Sequence, residues 1–281
     1  MAKISVIGIC GNSIFMKVDH FHEKGETLAA DSVFEEIGGK GINQAVACAR
    51  MGAEVSFLAA VGDDADADKC RQTAIDNNIN GFFATKNGKK TTFAVILTDK
   101  NGENQVTGIR QAELSVNDVI SFEQEIATSD ILLLQNEVPV DVNQKAVELA
   151  KKHGVRVILN PAPIRPIPDD IADAVFMVTP NEQEKQAIKP NRFKNCITTL
   201  GKDGCDINGK TKIKAPSVKA VDTTGAGDTF NGVLAVCIAN GMPLEKACEY
   251  AVCAASLSVT KNYVLDSIPT INQIERNIRH E

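Results

Sequence analysis

The sequence predicts an α/β fold of three layers, in which helices cover both faces of a mostly parallel sheet. Short apolar stretches alternate with stretches of helical periodicity along most of the 281 residues. Strands that are apolar on both sides belong to sheets buried on both faces, and alternation with helices is typical of parallel sheets. The length fits a single domain, 1–281, that can bury a full core.

This pattern predicts six strands and five helices. The strands are 4–9, 55–61, 131–135, 155–160, 175–178 and 196–200, and the helices are 66–77, 116–127, 142–153, 229–240 and 244–259. Ligands of such sheets bind beyond the carboxyl ends of the strands. Polar residues that follow strands, such as Glu137, Asn160 and Asn181, are therefore expected at one edge.

Two segments, 14–37 and about 82–109, interrupt the alternation and resemble strands. The second contains a hairpin signal, in which 93–98 and 104–109 flank a turn at Lys100-Asn101-Gly102. From these residues alone, the segments form either a small separate sheet or an antiparallel edge of the main sheet.

Composition argues against several classes of partner. The net charge of −6 favours neither nucleic acid nor an anionic membrane. No apolar stretch is long enough for a membrane span or a signal peptide, so we expect a cytoplasmic protein. The eight cysteines contain no Cys-x-x-Cys pair and are expected to be reduced thiols in the core.

The segment 222–231 carries the strongest indication of chemistry. Gly225, Ala226 and Gly227 precede Asp228 and open an apolar helix. Bare backbone at a helix N-terminus forms an anion site, because its N–H groups and the positive end of the helix dipole point outward. Asp228 beside that site is a candidate general base. The alternative is an ordinary N-cap after a glycine turn.

A second glycine-rich segment, 38–45, also opens an apolar helix. Glycines let the backbone approach a ligand closely, and Lys40 and Asn43 supply hydrogen-bond donors. A tight turn before a helix is the alternative for this segment alone.

Together, the two segments resemble the signature motifs of the ribokinase-like carbohydrate kinases (PfkB family), and within that family the ribokinases. The resemblance runs nearly end to end. It includes Gln135-Asn136-Glu137, Asn160-Pro161-Ala162-Pro163, the Asn-x-x-Glu motif within 179–184, and a nucleotide loop at 198–204.

The resemblance implies ATP-dependent phosphorylation of a hydroxyl, most naturally a primary one, on a sugar or sugar-like molecule. Asp228 would be the base, and Gly225, Ala226 and Gly227 the anion hole. The substrate residues would be Asn12, Gly39, Lys40, Asn43 and Glu137, together with Asp228. The nucleotide would contact Asn181, Thr199, Gly201, Gly204 and Gly227.

The resemblance also implies two cations and a lid. Asn181 and Glu184 would hold Mg²⁺ through water, although both also fit an N-cap with a first-turn glutamate. Asp222, Thr224, Ser258 and Ser267 would hold a monovalent cation such as K⁺. The segments 14–37 and 82–109 would form a small β-lid over the sugar, through which the protein could form a homodimer.

Some residues depart from the family pattern. Gly11-Asn12-Ser13 stands where ribokinases carry Asn-x-Asp, Arg110-Gln111-Ala112-Glu113 replaces a loop of small residues, and Tyr263-Val264 replaces Gly-Ala. One crossover helix between Glu184 and Cys196 is either trimmed or missing. The substrate therefore stays open; a nucleoside kinase of the same fold and a sugar-binding protein without catalysis are the alternatives.

Overall fold

The structure is a computed structural model that describes residues 1–101 and 103–278. In these residues the chain forms thirteen strands and ten helices. The strands are β1 (Lys3–Ile7), β2 (Gly11–Lys17), β3 (Ser32–Gly38), β4 (Glu54–Val61), β5 (Asn80–Thr85), β6 (Thr92–Thr98), β7 (Asn104–Ile109), β8 (Ile131–Gln135), β9 (Arg156–Asn160), β10 (Met177–Val178), β11 (Ile197–Thr199), β12 (Cys205–Ile207) and β13 (Thr211–Ile213). The helices are α1 (Lys40–Arg50), α2 (Ala65–Asp76), α3 (Val116–Ser121), α4 (Glu123–Ala127), α5 (Val140–His153), α6 (Asp169–Ala174), α7 (Glu182–Ala187), α8 (Ala226–Ala239), α9 (Leu244–Ser258) and α10 (Ile271–Ile278).

The main sheet has six strands in the order β10-β9-β8-β1-β4-β5, and every neighbouring pair is parallel. A three-stranded antiparallel sheet, β11-β12-β13, continues it, because parallel bridges join Val178 to Cys196 and Asn181 to Thr199. The predicted mostly parallel sheet is confirmed.

Helices cover both faces of this sheet, as predicted. Along β8, Leu133 packs into the core that contains α1, α8 and α9, whereas Leu132 and Leu134 pack into the core that contains α5. This alternation follows from the two-residue period of a strand, and it explains why the central strands are apolar throughout.

The lid is a separate four-stranded sheet in the order β3-β2-β6-β7. β2 pairs with β3 antiparallel and with β6 parallel, and β6 and β7 form the predicted hairpin. Gly102 of the predicted turn lies outside the described residues. The lower boundary of the second lid segment needs correction, because β5 belongs to the edge of the main sheet beside β4. There Phe83 packs against Phe57, and Phe82 against Phe122.

Two connections differ in detail from the predicted elements. The predicted helix 116–127 is divided into α3 and α4 at Phe122, whose ring is buried. Between α7 and β11 the chain has only a 3₁₀ turn, Pro190–Arg192, in line with the trimmed crossover. None of the helices in the described residues is long and apolar enough for a membrane crossing.

Candidate active site

The lid strand β3 leads directly into the start of α1. Gly39 has φ +112°, and a Cβ there would lie 2.9 Å from the Ile9 carbonyl oxygen, so the position demands glycine. The first N–H of the helix, that of Lys40, donates to Oε2 of Glu137 at 2.9 Å. Glu137 therefore neutralises the positive end of α1. The structure thus brings together Gly39, Lys40 and Glu137.

Asp228 lies in the first turn of α8 and is buried, with 5% of its surface exposed. Asn43 Nδ2 donates to its Oδ2 at 3.0 Å, and Gln44 Nε2 donates to its Oδ1 at 3.0 Å. The two glycine-rich segments therefore meet at this carboxylate. Each oxygen accepts one amide and keeps lone-pair capacity for a further donor, such as a hydroxyl.

Close packing of α1 on α8 makes these contacts possible. A Cβ at Gly232 would lie 2.5 Å from the Cβ of Ala47 and 2.7 Å from the Gln44 carbonyl oxygen. A larger residue at position 232 would hold the helices apart, and with them Asp228 and its amide donors.

The N-terminus of α8 is open. Gly225 is the N-cap with φ +75°, and Gly227 is exposed. The first N–H groups of an α-helix have no partner within the helix. Here the Ala226 N–H donates to the Thr223 carbonyl at 3.4 Å, whereas those of Gly225, Gly227 and Asp228 have no partner among the described residues and can bind an anion.

A buried polar network that the sequence analysis missed supports the site. Gln135 Nε2 donates to Gln44 Oε1 at 2.7 Å, and Thr179 Oγ1 donates to Asn231 Oδ1 at 2.5 Å. Asn231 Nδ2 in turn donates to the Gly227 carbonyl at 2.8 Å. Amide and hydroxyl residues within otherwise apolar segments are the sequence signal that could have identified this network, because buried polar groups need partners.

The cleft combines opposite charges. The carboxylate of Asp228, with those of Glu137 and Glu184, raises the pKa of the Lys40 ammonium above its usual value, although burial opposes the shift. Burial raises the pKa of the Glu137 carboxyl. Arg110 Nη2 lies 3.6 Å from Oε1 of Glu137, and its Nη1 donates to the Glu137 carbonyl at 3.2 Å.

Asn181 and Glu184 form a reciprocal capping box at the start of α7. Asn181 Oδ1 accepts the Glu184 N–H at 2.8 Å, and Glu184 Oε2 accepts the Asn181 N–H at 2.8 Å. Both residues also line a cleft of about 430 Å³ that contains Lys40 and Asp228. The capping role and a role toward a ligand are therefore compatible.

A larger pocket of about 640 Å³ adjoins that cleft and shares Thr199, Gly201 and Gly227 with it. Gly204 also lines the larger pocket. Its other walls are mainly apolar and come from the segment after β13 and from α8 and α9; they include Ala215, Pro216, Val218, Phe230, Val252 and Val259. The size and lining suit a flat aromatic base, with phosphates running toward Asp228.

Asp222 and Ser267 both form hydrogen bonds to the loop of residues 263–265. Asp222 Oδ1 accepts the Thr224 N–H at 2.9 Å, and its Oδ2 accepts the Tyr263 N–H at 3.1 Å. Ser267 Oγ donates to the Val264 carbonyl at 2.7 Å, and Ser258 Oγ donates to the Ala255 carbonyl at 2.9 Å. Both hydroxyls donate to their own chain segment and so keep lone pairs for a cation.

Asn12 is the one predicted substrate residue that the structure places elsewhere. Its Nδ2 donates to Asp66 Oδ1 at 3.2 Å and to Glu35 Oε2 at 3.3 Å. Successive side chains of a strand point to opposite faces, so the face of β2 that carries Asn12 is turned toward α2. Ser13 is on the other face, which it shares with Phe15, and the ring of Phe15 contacts Tyr263.

Comparison with known proteins agrees with this geometry. The family model described as "pfkB family carbohydrate kinase" matches residues 1–271. The ribokinase of Haemophilus influenzae is 32% identical over 99% of this chain and 98% of its own length.

Among solved structures, the ribokinase of Thermotoga maritima superposes with a TM-score of 0.89 at 32% identity, covering 99% of this chain and 100% of that one. A ribokinase of Arabidopsis thaliana complexed with ribose and ATP superposes with a TM-score of 0.84 at 27% identity, covering 98% of each chain. These relatives do not favour the nucleoside kinase alternative. The chain belongs to the pfkB family of carbohydrate kinases, and it is an ATP-dependent enzyme of that family.

Proposed function

We propose that this kinase transfers the terminal phosphoryl group of ATP to a primary hydroxyl of a sugar, with Asp228 as the general base. One observation carries the assignment. Asp228 is the buried carboxylate at the junction of the two glycine-rich segments, oriented by the amides of Asn43 and Gln44 at 3.0 Å each. It lies in the first turn of α8, beside N–H groups that can hold an anion.

In the proposed step, a new bond forms between the sugar oxygen and the terminal phosphorus as the bond from that phosphorus to the bridging oxygen breaks. ADP leaves with the electron pair, and the hydroxyl proton passes to the Asp228 carboxylate. The N–H groups of Gly225, Gly227 and Asp228 stabilise the charge on the transferred group, as preorganised donors do in phosphoryl transfer. Lys40, in the same cleft, adds a positive charge there.

The residues present fit a hydrated Mg²⁺. Glu184 is buried and lines the cleft, and its Oε1 has no hydrogen-bond partner among the described residues. A carboxylate oxygen is a ligand that Mg²⁺ accepts, directly or through water. Glu184 and Asn181 would hold the ion, which neutralises charge on the phosphates when bound. Asp222, Thr224, Ser258 and Ser267 would hold a monovalent cation behind the anion hole.

Ribose is the reference acceptor, since it is the sugar named for the Arabidopsis thaliana relative. The pocket nevertheless differs at Ser13, which supplies a hydroxyl where the ribokinase pattern has a carboxylate, and at Arg110, which pairs with Glu137. A site that lacks one charged hydrogen-bond acceptor discriminates less for the hydroxyls that this acceptor would bind. We therefore propose a sugar acceptor that the enzyme uses better than D-ribose.

Release of ADP from Mg-ATP, measured against pentoses, hexoses and nucleosides, tests this proposal. We expect turnover with at least one neutral sugar, with lower kcat/KM for D-ribose and for every nucleoside. A D-ribose kcat/KM of roughly 10⁴ M⁻¹s⁻¹ or above, the usual efficient range, would refute the substrate claim. Absence of turnover with every sugar would refute the proposed reaction.

The outer face of the lid supports a homodimer. Ile14, Met16, Phe93, Val95 and Leu97 share that face by strand alternation and register, and Val33 beside them is 63% exposed. The other five side chains are half-buried, and a contiguous apolar surface that solvent still reaches marks an interaction site. A second copy of the lid is the proposed partner, and Val33→Lys should shift the mass in light scattering from dimer to monomer.

We propose a cytoplasmic location on the basis of the thiols. All eight cysteines are free and buried, with no disulfide among the described residues. Reduced cysteines are typical of the reducing cytosol.

A further inference from the structure

Tyr263 occupies an unusual backbone position and contacts the lid. Its φ is +67°, a region that bulky residues rarely adopt. Its ring stacks on Phe34 of β3, with centroids 3.4 Å apart and an interplanar angle of 16°, and it meets the ring of Phe15 edge-on at 6.4 Å. These ring contacts offset the cost of the left-handed conformation.

The lid also contacts the two residues that follow Tyr263; residues 263–265 are called the loop here. Glu36 Oε1 accepts the Val264 N–H at 2.8 Å, and Glu36 Oε2 accepts the Leu265 N–H at 3.2 Å. Charge-assisted bonds of this kind are stronger than neutral ones. Phe34 and Glu36 share one face of β3, and β3 continues into Gly39 and Lys40 of the proposed sugar site.

The other side of the loop contacts the anion-binding turn, 222–227. The Tyr263 N–H donates to Asp222 at 3.1 Å, and the second oxygen of Asp222 accepts the Thr224 N–H at 2.9 Å. Val264 packs directly on Gly225, because a Cβ at Gly225 would lie 2.3 Å from Val264 Cγ1. The loop therefore lies between the lid and the turn that precedes Asp228.

We propose that Tyr263 and Glu36 are positioning residues that couple the lid to the anion-binding turn. The inference rests on the proposed function, because it assumes a sugar beneath the lid and a phosphoryl group at the turn. A sugar that fixes β3 would fix the loop through Phe34 and Glu36, and the loop would then fix Asp222 and Gly225. The site for the transferred phosphoryl group would be fully formed only when the acceptor is present.

Such coupling is reciprocal and can be measured as binding. The probe is AMP-PNP with Mg²⁺, titrated by calorimetry without a sugar and with a saturating concentration of the sugar that gives the highest kcat/KM in the ADP-release panel. The ratio of the two Kd values is the coupling factor. We expect a factor of about five or more in the wild type, within the usual allosteric range.

Two variants interrupt the contact from opposite sides. Tyr263→Gly removes the ring at a backbone conformation that glycine accepts, and Phe34→Ala removes the partner ring. Both should lower the factor clearly below that of the wild type, because only the Glu36 contact then joins the lid to the loop. Tyr263→Phe keeps the stack and should keep the factor. Glu35→Gln changes the neighbouring carboxylate, which contacts Asn12 and Lys69 on the opposite face, and should also keep it.

A wild-type factor near one would overturn the proposal. So would Tyr263→Gly and Phe34→Ala proteins that bind AMP-PNP more weakly but by the same factor with and without the sugar, since this outcome describes a purely structural role. The wild-type ADP-release assay tests the phosphotransfer reaction independently, so failure of the coupling leaves the proposed function intact.

Discussion

The starts of α1 and α8 have similar backbone conformations but differ in what their first N–H groups bind. Each follows a glycine with positive φ, Gly39 at +112° and Gly225 at +75°. At α1 the first N–H is bound by Glu137, an acid of the protein itself. At α8 the turn is open, Gly227 is exposed, and the acid in the first turn, Asp228, is bound by amides from α1.

This difference shows how one local motif gives two kinds of site. A helix start that an internal carboxylate already neutralises has little attraction left for an external anion, and it can instead present a side chain such as Asn43 to a neutral ligand. A helix start without such a partner keeps its field for phosphate. Four substitutions test whether the start of α1 serves the sugar and the start of α8 serves the phosphate.

Asp228→Asn should have the largest effect. It keeps the size of the side chain but removes the proton acceptor, and loss of a general base is worth roughly 10²–10⁴-fold in rate. We expect kcat to fall by that factor, with AMP-PNP affinity unchanged and the protein folded by circular dichroism. Turnover near that of the wild type would show that the open helix start acts without a base.

Ser13→Asp should raise kcat/KM for D-ribose. If a carboxylate there accepts hydrogen bonds from ribose hydroxyls, each charged bond contributes about 1.5–3 kcal/mol, which corresponds to a gain of roughly 10- to 160-fold in kcat/KM for D-ribose. Ser13→Asn is the matched control, because it has the same size without the charge. Equal gains in the two variants would exclude the charge as the cause.

Glu184→Gln should change the Mg²⁺ requirement without changing sugar binding. Loss of one negative charge beside the proposed ion should raise the Mg²⁺ concentration for half-maximal rate severalfold, with little change in the KM for the sugar. Glu148→Gln, on the exposed face of α5 and outside the cleft, is the control. An unchanged Mg²⁺ titration would mean that Glu184 serves only in the capping box.

Glu137→Gln should give the smallest effect, and its sign depends on pH. Burial raises the pKa of Glu137 in the folded protein, so the native state binds its proton more tightly than the unfolded chain. The stability from that proton is present below about pH 4.3 and is lost as pH rises through the folded-state pKa. The Tm of the variant minus that of the wild type should therefore increase from acid to neutral pH.

Exposed Glu113→Gln is the control for that series. A Tm difference for Glu137→Gln that falls as pH rises would mean that Lys40 and the α1 N-terminus stabilise the charged form more than burial disfavours it.

Much of the fold follows from local pattern. The central strands and helices of the parallel sheet could be predicted because apolar runs and helical periodicity are properties of short segments. The placement of residues 82–85 could not, because a strand of Phe82 and Phe83 suits either sheet, and only packing against Phe57 and Phe122 decides between them.

The candidate site likewise has features that the sequence predicts and features that depend on packing. Sequence by itself determined the two glycine-rich helix starts, Asp228 and the alternation that any strand must obey, because these depend on backbone conformation and neighbouring residues. Tertiary structure decided that Asn12 faces Asp66 rather than the cleft, that Gln44 binds Asp228, and that Glu36 reaches the loop behind Gly225. These pairings depend on register and on the approach of α1 to α8, which form only when distant segments pack together.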